Sequence, residues 1–411
     1  MSRSPEIVVV GAGVGGGAIA FALAQAGLSV TVLERSERHV DRVRGEWLAP
    51  WGVAEAATLG LIDALRAAGG QHLIRDVHYD ETVAPEVAEA SALDLRQVHP
   101  VGTGPMSVGH PAICDAFDEA AIDAGAVLMR GVQDIEVRAG APPEIAFEHE
   151  GVRHHWRPSL VIGADGRTST VRRQLGMTML HDPPHHLVGG MLVDGVPDWP
   201  REQQSLGTEE NLHYLVFPQT GSRVSIYACY GFDGHERFTG PGREQNLLEA
   251  FRLRCLPFGN AIAKGTPIGP FHSVSNEDHW VDNPVAPGVV LLGDAAGHND
   301  PITGQGLSIT LRDVRILRDL ILEGAREPDD FRPYVDDRRE RVDRLRVTAQ
   351  FWSVLHAEFG PEAAARRARA LRRAFVEGQL SPIPALFAGP EALPADAFAP
   401  ATLAALLAPD P

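Results

Sequence analysis

Ile7-Val8-Val9-Val10-Gly11-Ala12-Gly13-Val14-Gly15-Gly16 is the stretch on which the fold turns. The continuous β-branched run Ile7–Val10 reads as a strand buried on both faces of a parallel sheet. Glycines follow, and then an Ala-rich segment from about Val14 to Ala26 that reads as a helix stopped at Gly27. Ser29 to Leu33 reads as a second strand ending on Glu34. Between a strand and a helix, the pattern Gly11-x-Gly13-x-x-Gly16 has a physical meaning. Gly11 permits the tight turn, Gly13 lets the backbone approach a diphosphate, and Gly16 lets helix and strand pack closely. Gly15 belongs to the same loop. The helix N-terminus offers free N–H groups and partial positive charge to phosphates. Glu34, 21 residues after Gly13, suits the ribose hydroxyls of a dinucleotide. The bland alternative is a glycine-rich turn that holds no ligand.

Two further glycine/acid segments follow, Gly163-Ala164-Asp165-Gly166 and Gly293-Asp294-Ala295-Ala296. Each comes directly after an apolar run (Leu160 to Ala164, Val289 to Leu292) that reads as a buried strand. Residues 53–68 and Pro111 to Ala124 read as helices, and Val127 to Val137 as one strand. Residues 181–200, rich in Pro, His and Gly, read as a boundary. Leu212 to Phe217 and Arg223 to Tyr230 flank Pro-Gln-Thr-Gly, a hairpin signal. A helix is expected from about Gly306 to Leu322. Strand–helix units at both ends therefore enclose a β-rich insert, an α/β organisation. The expected division is a discontinuous Rossmann-like cofactor domain over residues 1–75, 100–180 and 285–345. Residues 76–99 and 181–284 would form a substrate-binding β-sheet domain, and residues 346–411 a helical tail. The arginines of that tail (Arg366, Arg367, Arg369, Arg372, Arg373) read as a solvated helix face.

At 411 residues, with 44% hydrophobic residues, the chain can build a large core, and a net charge of -17 argues against nucleic acid. Its three cysteines, Cys114, Cys229 and Cys255, form no close pair, so a disulfide framework is not expected and a cytoplasmic setting is. No N-terminal signal pattern and no run of ~18 apolar residues is seen, so no membrane span is expected. The histidines His181, His185 and His186 have two prolines among them rather than helical ligand spacing, and read as a polar loop, not a metal site. A monomer or homodimer is expected.

Taken with Arg42-Val-Arg44-Gly-Glu-Trp47-Leu, the three segments resemble the group A flavoprotein monooxygenases of the para-hydroxybenzoate hydroxylase fold. The stretch Gly163-Ala-Asp165-Gly166-Arg167-x-Ser169-x-Val171-Arg172 is similar to that family's Asp-Gly motif. Gly293-Asp294-Ala295-Ala296-x4-Pro301-x2-Gly304-Gln305-Gly306-x6-Asp313 is similar to its Gly-Asp motif. The resemblance implies FAD as cofactor, NADH or NADPH as reductant, O2 as co-substrate, and hydroxylation or epoxidation through a C4a-hydroperoxyflavin. It implies a cofactor site of Gly11, Gly13, Gly15, Gly16, Glu34, Arg35, Arg42, Arg44, His110, Asp165, Asp294, Pro301, Gly304, Gly306, Leu307 and Ser308. Within that set Arg42 and Arg44 would touch FAD, Asp294 would bind the ribityl chain, and Pro301 would line the ring. The helix from Gly306 would point its N-terminus at the flavin.

Two positions depart from the pattern. His110 stands where many relatives have Arg, and Gly297 where many hydroxylases have His. Gly297 also resembles the geranylgeranyl reductase branch of the same fold, which implies reduction of a C=C bond as the competing activity. No Trp-x-Trp-x-Ile-Pro segment is present, which speaks against the related halogenases. Substrate contacts are expected from Arg44, Trp47, Pro301, His213, Tyr214 and Tyr227. Strand alternation lets only one of His213 and Tyr214 face the site. Few of these are charged, which fits a small aromatic or polyketide-like substrate.

Overall fold

The computed structural model describes residues 5–40 and 46–410. Ile7–Val10 lies inside a six-stranded sheet ordered Val285–Ala286, Val289–Leu291, Leu160–Gly163, Ile7–Val10, Val30–Leu33 and Val127–Met129. All neighbours are parallel except the first pair. Ile7 and Val9 enter one apolar cluster and Val8 and Val10 another, which is why this strand carries no polar residue.

The helix Val14–Gln25 is apolar all round because it is buried all round. A Cβ added to Gly17 would lie 2.9 Å from Phe117 Cβ on the helix His110–Asp123. One added to Gly15 would lie 2.9 Å from Thr310 Cγ2 on the helix Gly306–Leu322. At Gly16 it would fall 1.8 Å from the Gly11 carbonyl oxygen, so helix and strand turn meet backbone to backbone.

A second, seven-stranded sheet runs Thr266–Asn276, His186–Asp194, Val224–Tyr230, Leu212–Pro218, Gln203–Glu209, Arg75–His78 and Leu93–Asp94. The expected hairpin is its centre. One face packs on Phe238, Phe251 and Trp199, and the other turns toward the half that holds the parallel sheet.

Several expectations need correction. Residues 181–200 hold not a boundary but the strand His186–Asp194, paired on both sides. Its Gly189 and Gly190 are there because the Phe271 and Tyr227 rings lie against them. Val127 to Val137 is two strands in different sheets, Val127–Met129 and Gln133–Arg138. Residues 53–68 form two helices, Pro50–Thr58 and Ile62–Ala67. The tail arginines are not a uniformly solvated face. Arg367, with 2% of its side chain exposed, donates to Asp80 (2.8 Å) and Glu81 (3.1 Å) across the large sheet. Arg373 is buried against the carbonyls of Ala405 and Leu406.

The two halves of the cofactor wall are joined through Asp313. This fully buried carboxylate accepts from the Gly293 N–H (2.9 Å), from Arg338 and from Arg341 (2.9 Å) on the helix Arg332–His356. Arg338 also donates to the Gly293 (3.2 Å) and Gly297 (3.1 Å) carbonyls. Removing one member of such a buried network leaves the others as uncompensated charge, at a cost of about 3–5 kcal/mol. Asp313→Ala is therefore expected to lower the unfolding free energy by that amount, seen in urea unfolding as a lower midpoint at unchanged slope. A midpoint equal to the parent's would contradict this role.

Candidate active site

A cavity of about 1140 Å³ lies between the carboxyl ends of the parallel strands and the inner face of the large sheet. Val10, Leu33, Ala164 and Leu292, each at or just beyond a strand end, reach it together with the loops that follow them. The helices Val14–Gln25 and Gly306–Leu322 both begin at this cavity, and neither has a side-chain cap. Their first N–H groups are thus left for a ligand, and both dipoles favour negative charge there.

Gly11, Gly13 and Gly15 line the cavity, and nothing lies within 4 Å of a Cβ built on Gly13. Gly16 does not line it, being spent on packing. Glu34 and Arg35 line it, and the Glu34 carboxylate already accepts from the Ala12 N–H (2.8 Å) and the Ser36 N–H (2.7 Å). His110 lines it as the first residue of its helix. Arg42 and Arg44 lie outside the described residues.

Asp165 borders the cavity, but its carboxylate turns to its own chain. It accepts from Ser169 Oγ (2.5 Å) and from the N–H groups of Thr170 (2.6 Å) and Val171 (3.1 Å), fixing the short helix Thr170–Gln174. Asp294 lines the cavity and accepts from Arg167 Nε at 3.3 Å. Pro301, Gly304, Gly306 and Leu307 line it as well. Ser308 does not, because its hydroxyl accepts from the Ala49 N–H (3.2 Å) at the close contact between two helices.

On the sheet side, Trp47 and Tyr227 line the cavity. Trp47 donates to Gln204 Oε1 (2.7 Å), and Tyr227 donates to Glu46 Oε2 (2.8 Å). Neither His213 nor Tyr214 lines it. Tyr214 points to the far face, where its hydroxyl meets the Tyr79 carbonyl (3.1 Å). His213 is on the cavity-facing side of the sheet. It is walled off by His356, with ring centroids 4.6 Å apart, and behind that by Trp352. Burial pushes both histidines well below the usual imidazole range.

Contributors not anticipated include Asp76, His78, Gln204, Leu206, Leu215 and Phe217 on the sheet, and Leu386 and Phe387 of the C-terminal region. Alternation from Tyr227 across the paired strands points to Leu215, its register partner. The Ala/Pro-rich terminus carried no comparable signal. There Gln305 Nε2 donates to the Leu386 carbonyl (3.2 Å), and Phe387 meets Trp47 edge-on at 6.1 Å.

Gly297 has a packing explanation. At φ 134° it pairs with Trp280, and an added Cβ would fall 2.4 Å from the His279 carbonyl oxygen. A histidine cannot stand there, and its neighbour His298 reaches the cavity instead.

The FAD binding domain family matches residues 5–348, and the chain belongs to this family. It is 26% identical over 337 residues to squalene epoxidase 2 of Arabidopsis thaliana, covering 77% of this chain and 54% of that protein. It thus spans just over half the length of such relatives. It is 29% identical over 333 residues to the 3-amino-4-hydroxybenzoate 2-monooxygenase of Streptomyces cremeus, covering 77% and 78% of the two chains. In fold it is similar to the p-nitrophenol 4-monooxygenase PnpA of Pseudomonas putida, at TM-score 0.76 and 20% identity over 89% of this chain and 93% of that one. It is also similar to PqsL of Pseudomonas aeruginosa, at TM-score 0.73 and 20% identity over 86% and 97%. The curated relatives carry epoxidase and monooxygenase names, which together with the packing of Gly297 does not favour the reductase reading.

Beneath Pro301 the loop rests on two buried acids. Asp278 accepts from Asn299 Nδ2 (2.6 Å) and the Asp300 N–H (3.2 Å), and Asp300 accepts from the Ile302 N–H (3.0 Å). Burial, with Asp278 adding to it, raises Asp300 to about 8. An unfolded Asp titrates near ~3.9, so the folded state holds the extra proton between about pH 4 and 8. This contribution is complete below about pH 4 and is lost as the pH rises through about 8. The melting temperature is expected to fall between pH 5 and 8.5, and Asp300→Asn should flatten that fall. A slope unchanged in the variant would assign it elsewhere.

Proposed function

We propose that the chain is an FAD-dependent monooxygenase that takes electrons from NADH or NADPH and inserts one atom of O2 into a small, largely apolar molecule. The observation that supports it best is the convergence of two uncapped helix N-termini on one cavity whose sheet-side wall is mostly apolar. Bound FAD supplies the electron storage and oxygen-activating chemistry. Gly11, Gly13 and Gly15 would leave room and N–H donors for its diphosphate, and Glu34 would accept from its ribose. Asp294, steadied by Arg167, would accept from the ribityl chain. Pro301 and Gly304 would border the ring, and the first turn of Gly306–Leu322 would stabilise negative charge on it.

Trp47, Leu215, Phe217, Leu386 and Phe387 keep water from the substrate side, which is what uncoupled peroxide release would otherwise exploit. Tyr227, held by Glu46, presents its ring to the substrate rather than a mobile hydroxyl.

Purified FAD-loaded protein is expected to consume NAD(P)H and O2 together in the presence of an accepted compound from a panel of aromatics and polycyclic ketones, with label from 18O2 in the product. Product formed equally well without O2 would overturn the reading. Asp294→Ala is expected to lose about 1–3 kcal/mol of FAD affinity, the worth of a hydrogen bond to a charged group. Full flavin content after dialysis of the variant would contradict the role assigned to Asp294.

A further inference from the structure

The sheet wall of the chamber is mostly apolar, and its one carboxylate lies on a strand pair at the sheet's far side. Asp76 and Gln204 are direct partners on the parallel strands Arg75–His78 and Gln203–Glu209, and His78 partners Leu206 two residues on. All four line the cavity. The intervening Val77 turns into the core on the far face, as strand alternation requires. Gln204 is oriented by Trp47, and Trp47 stands against Gly304 beside Pro301. Asp76 therefore sits one strand beyond Gln204, on the side away from the flavin-edge loop.

Asp76 is 2% exposed. Its Oδ2 lies 3.1 Å from His78 Nε2, whereas its Oδ1 is buried and has no hydrogen-bond partner among the described residues. Buried carboxylate oxygens are rarely left so, and a cavity-lining one is a place for a donor to arrive. Burial alone would depress His78, but Asp76 and Asp80 outweigh it and the imidazole keeps its proton to higher pH than usual. Asp80 is itself paired with Arg367. With His78 already against one oxygen, Asp76 suits an uncharged donor at the other better than a second cation.

We propose that Asp76, positioned by His78 and flanked by Gln204, is the recognition site for a hydroxyl group on an otherwise apolar substrate. The hydroxyl donates to Asp76 Oδ1, and the apolar body lies along Leu206, Leu215 and Phe217 toward Pro301. The identity of that molecule as a substrate rests on the monooxygenase reading, but its binding does not require turnover.

The test is a titration of FAD-loaded protein, without reductant, followed by the flavin absorbance. The probes are 2-naphthol against 2-methoxynaphthalene, and 2-decahydronaphthol against its methyl ether. In the parent protein the hydroxyl member of each pair is expected to bind at least about tenfold more tightly, as a charge-assisted hydrogen bond allows. Asp76→Ala should bring the two members of each pair within about twofold, mainly by weakening the alcohol. Asp76→Asn, which preserves shape and one acceptor oxygen, should fall between and guards against a folding defect, with FAD content as the control. Equal binding of the pair in the parent, a preference that survives in Asp76→Ala, or binding of neither member would each overturn the proposal. Because no reductant is present, absence of O2 consumption in a separate assay would strike the monooxygenase reading and leave this result standing.

Discussion

One buried carboxylate holds the cofactor wall in register. Asp313 lies on the helix whose N-terminus opens on the cavity, yet its hydrogen bonds go to the Gly293 backbone and to two arginines of the next long helix. A charge so far from water persists only when its partners surround it. That requirement ties the Gly293–Gly297 turn, the Gly306–Leu322 helix and the Arg332–His356 helix to one another. The position of Asp294 and of the Pro301 loop follows from it, since both are strung between these anchors.

The chamber joins two surfaces built on different rules. The parallel sheet ends in backbone: glycine turns, helix N-termini and N–H groups, which recognise a ligand by approach and dipole rather than by side chain. The large sheet ends in side chains set two residues apart, mostly aliphatic and aromatic, with one polar row. A molecule between them meets fixed electrostatics on one side and shape on the other. That is the division expected where a cofactor carries the hard chemistry and the protein supplies orientation and dryness.

The glycine loop, its flanking strands and the Gly306–Leu322 helix were legible in the sequence because backbone constraint leaves a compositional mark. A run such as Ile7–Val10 or a Gly16 that touches Gly11 admits few substitutes. The strand His186–Asp194 was not legible, since its glycines serve neighbouring rings rather than a turn. His213 and Tyr214 misled for a related reason. Alternation says which face a residue takes but not what covers that face, and His356, 143 positions away, covers His213. Asp165 and Ser308 fell in the expected motifs, but Asp165 spends its side chain on the helix beside it and Ser308 on a contact with the Pro50–Thr58 helix. The arginines of the C-terminal helix showed the same limit, because Arg367 finds its acids only once the chain has folded back on the sheet.

The family match ends at residue 348, yet Trp352, Ile383, Leu386 and Phe387 still form part of the chamber. This segment reaches the cofactor half through Gln305 and Trp47 and the sheet through Arg367. The FAD-binding scaffold and part of the chamber's cover are thus written in separate stretches of the sequence. Mutation can accumulate in the cover while the glycine turns stay untouched. Substitutions in that cover can reshape the chamber without disturbing the backbone turns at the ends of the parallel strands.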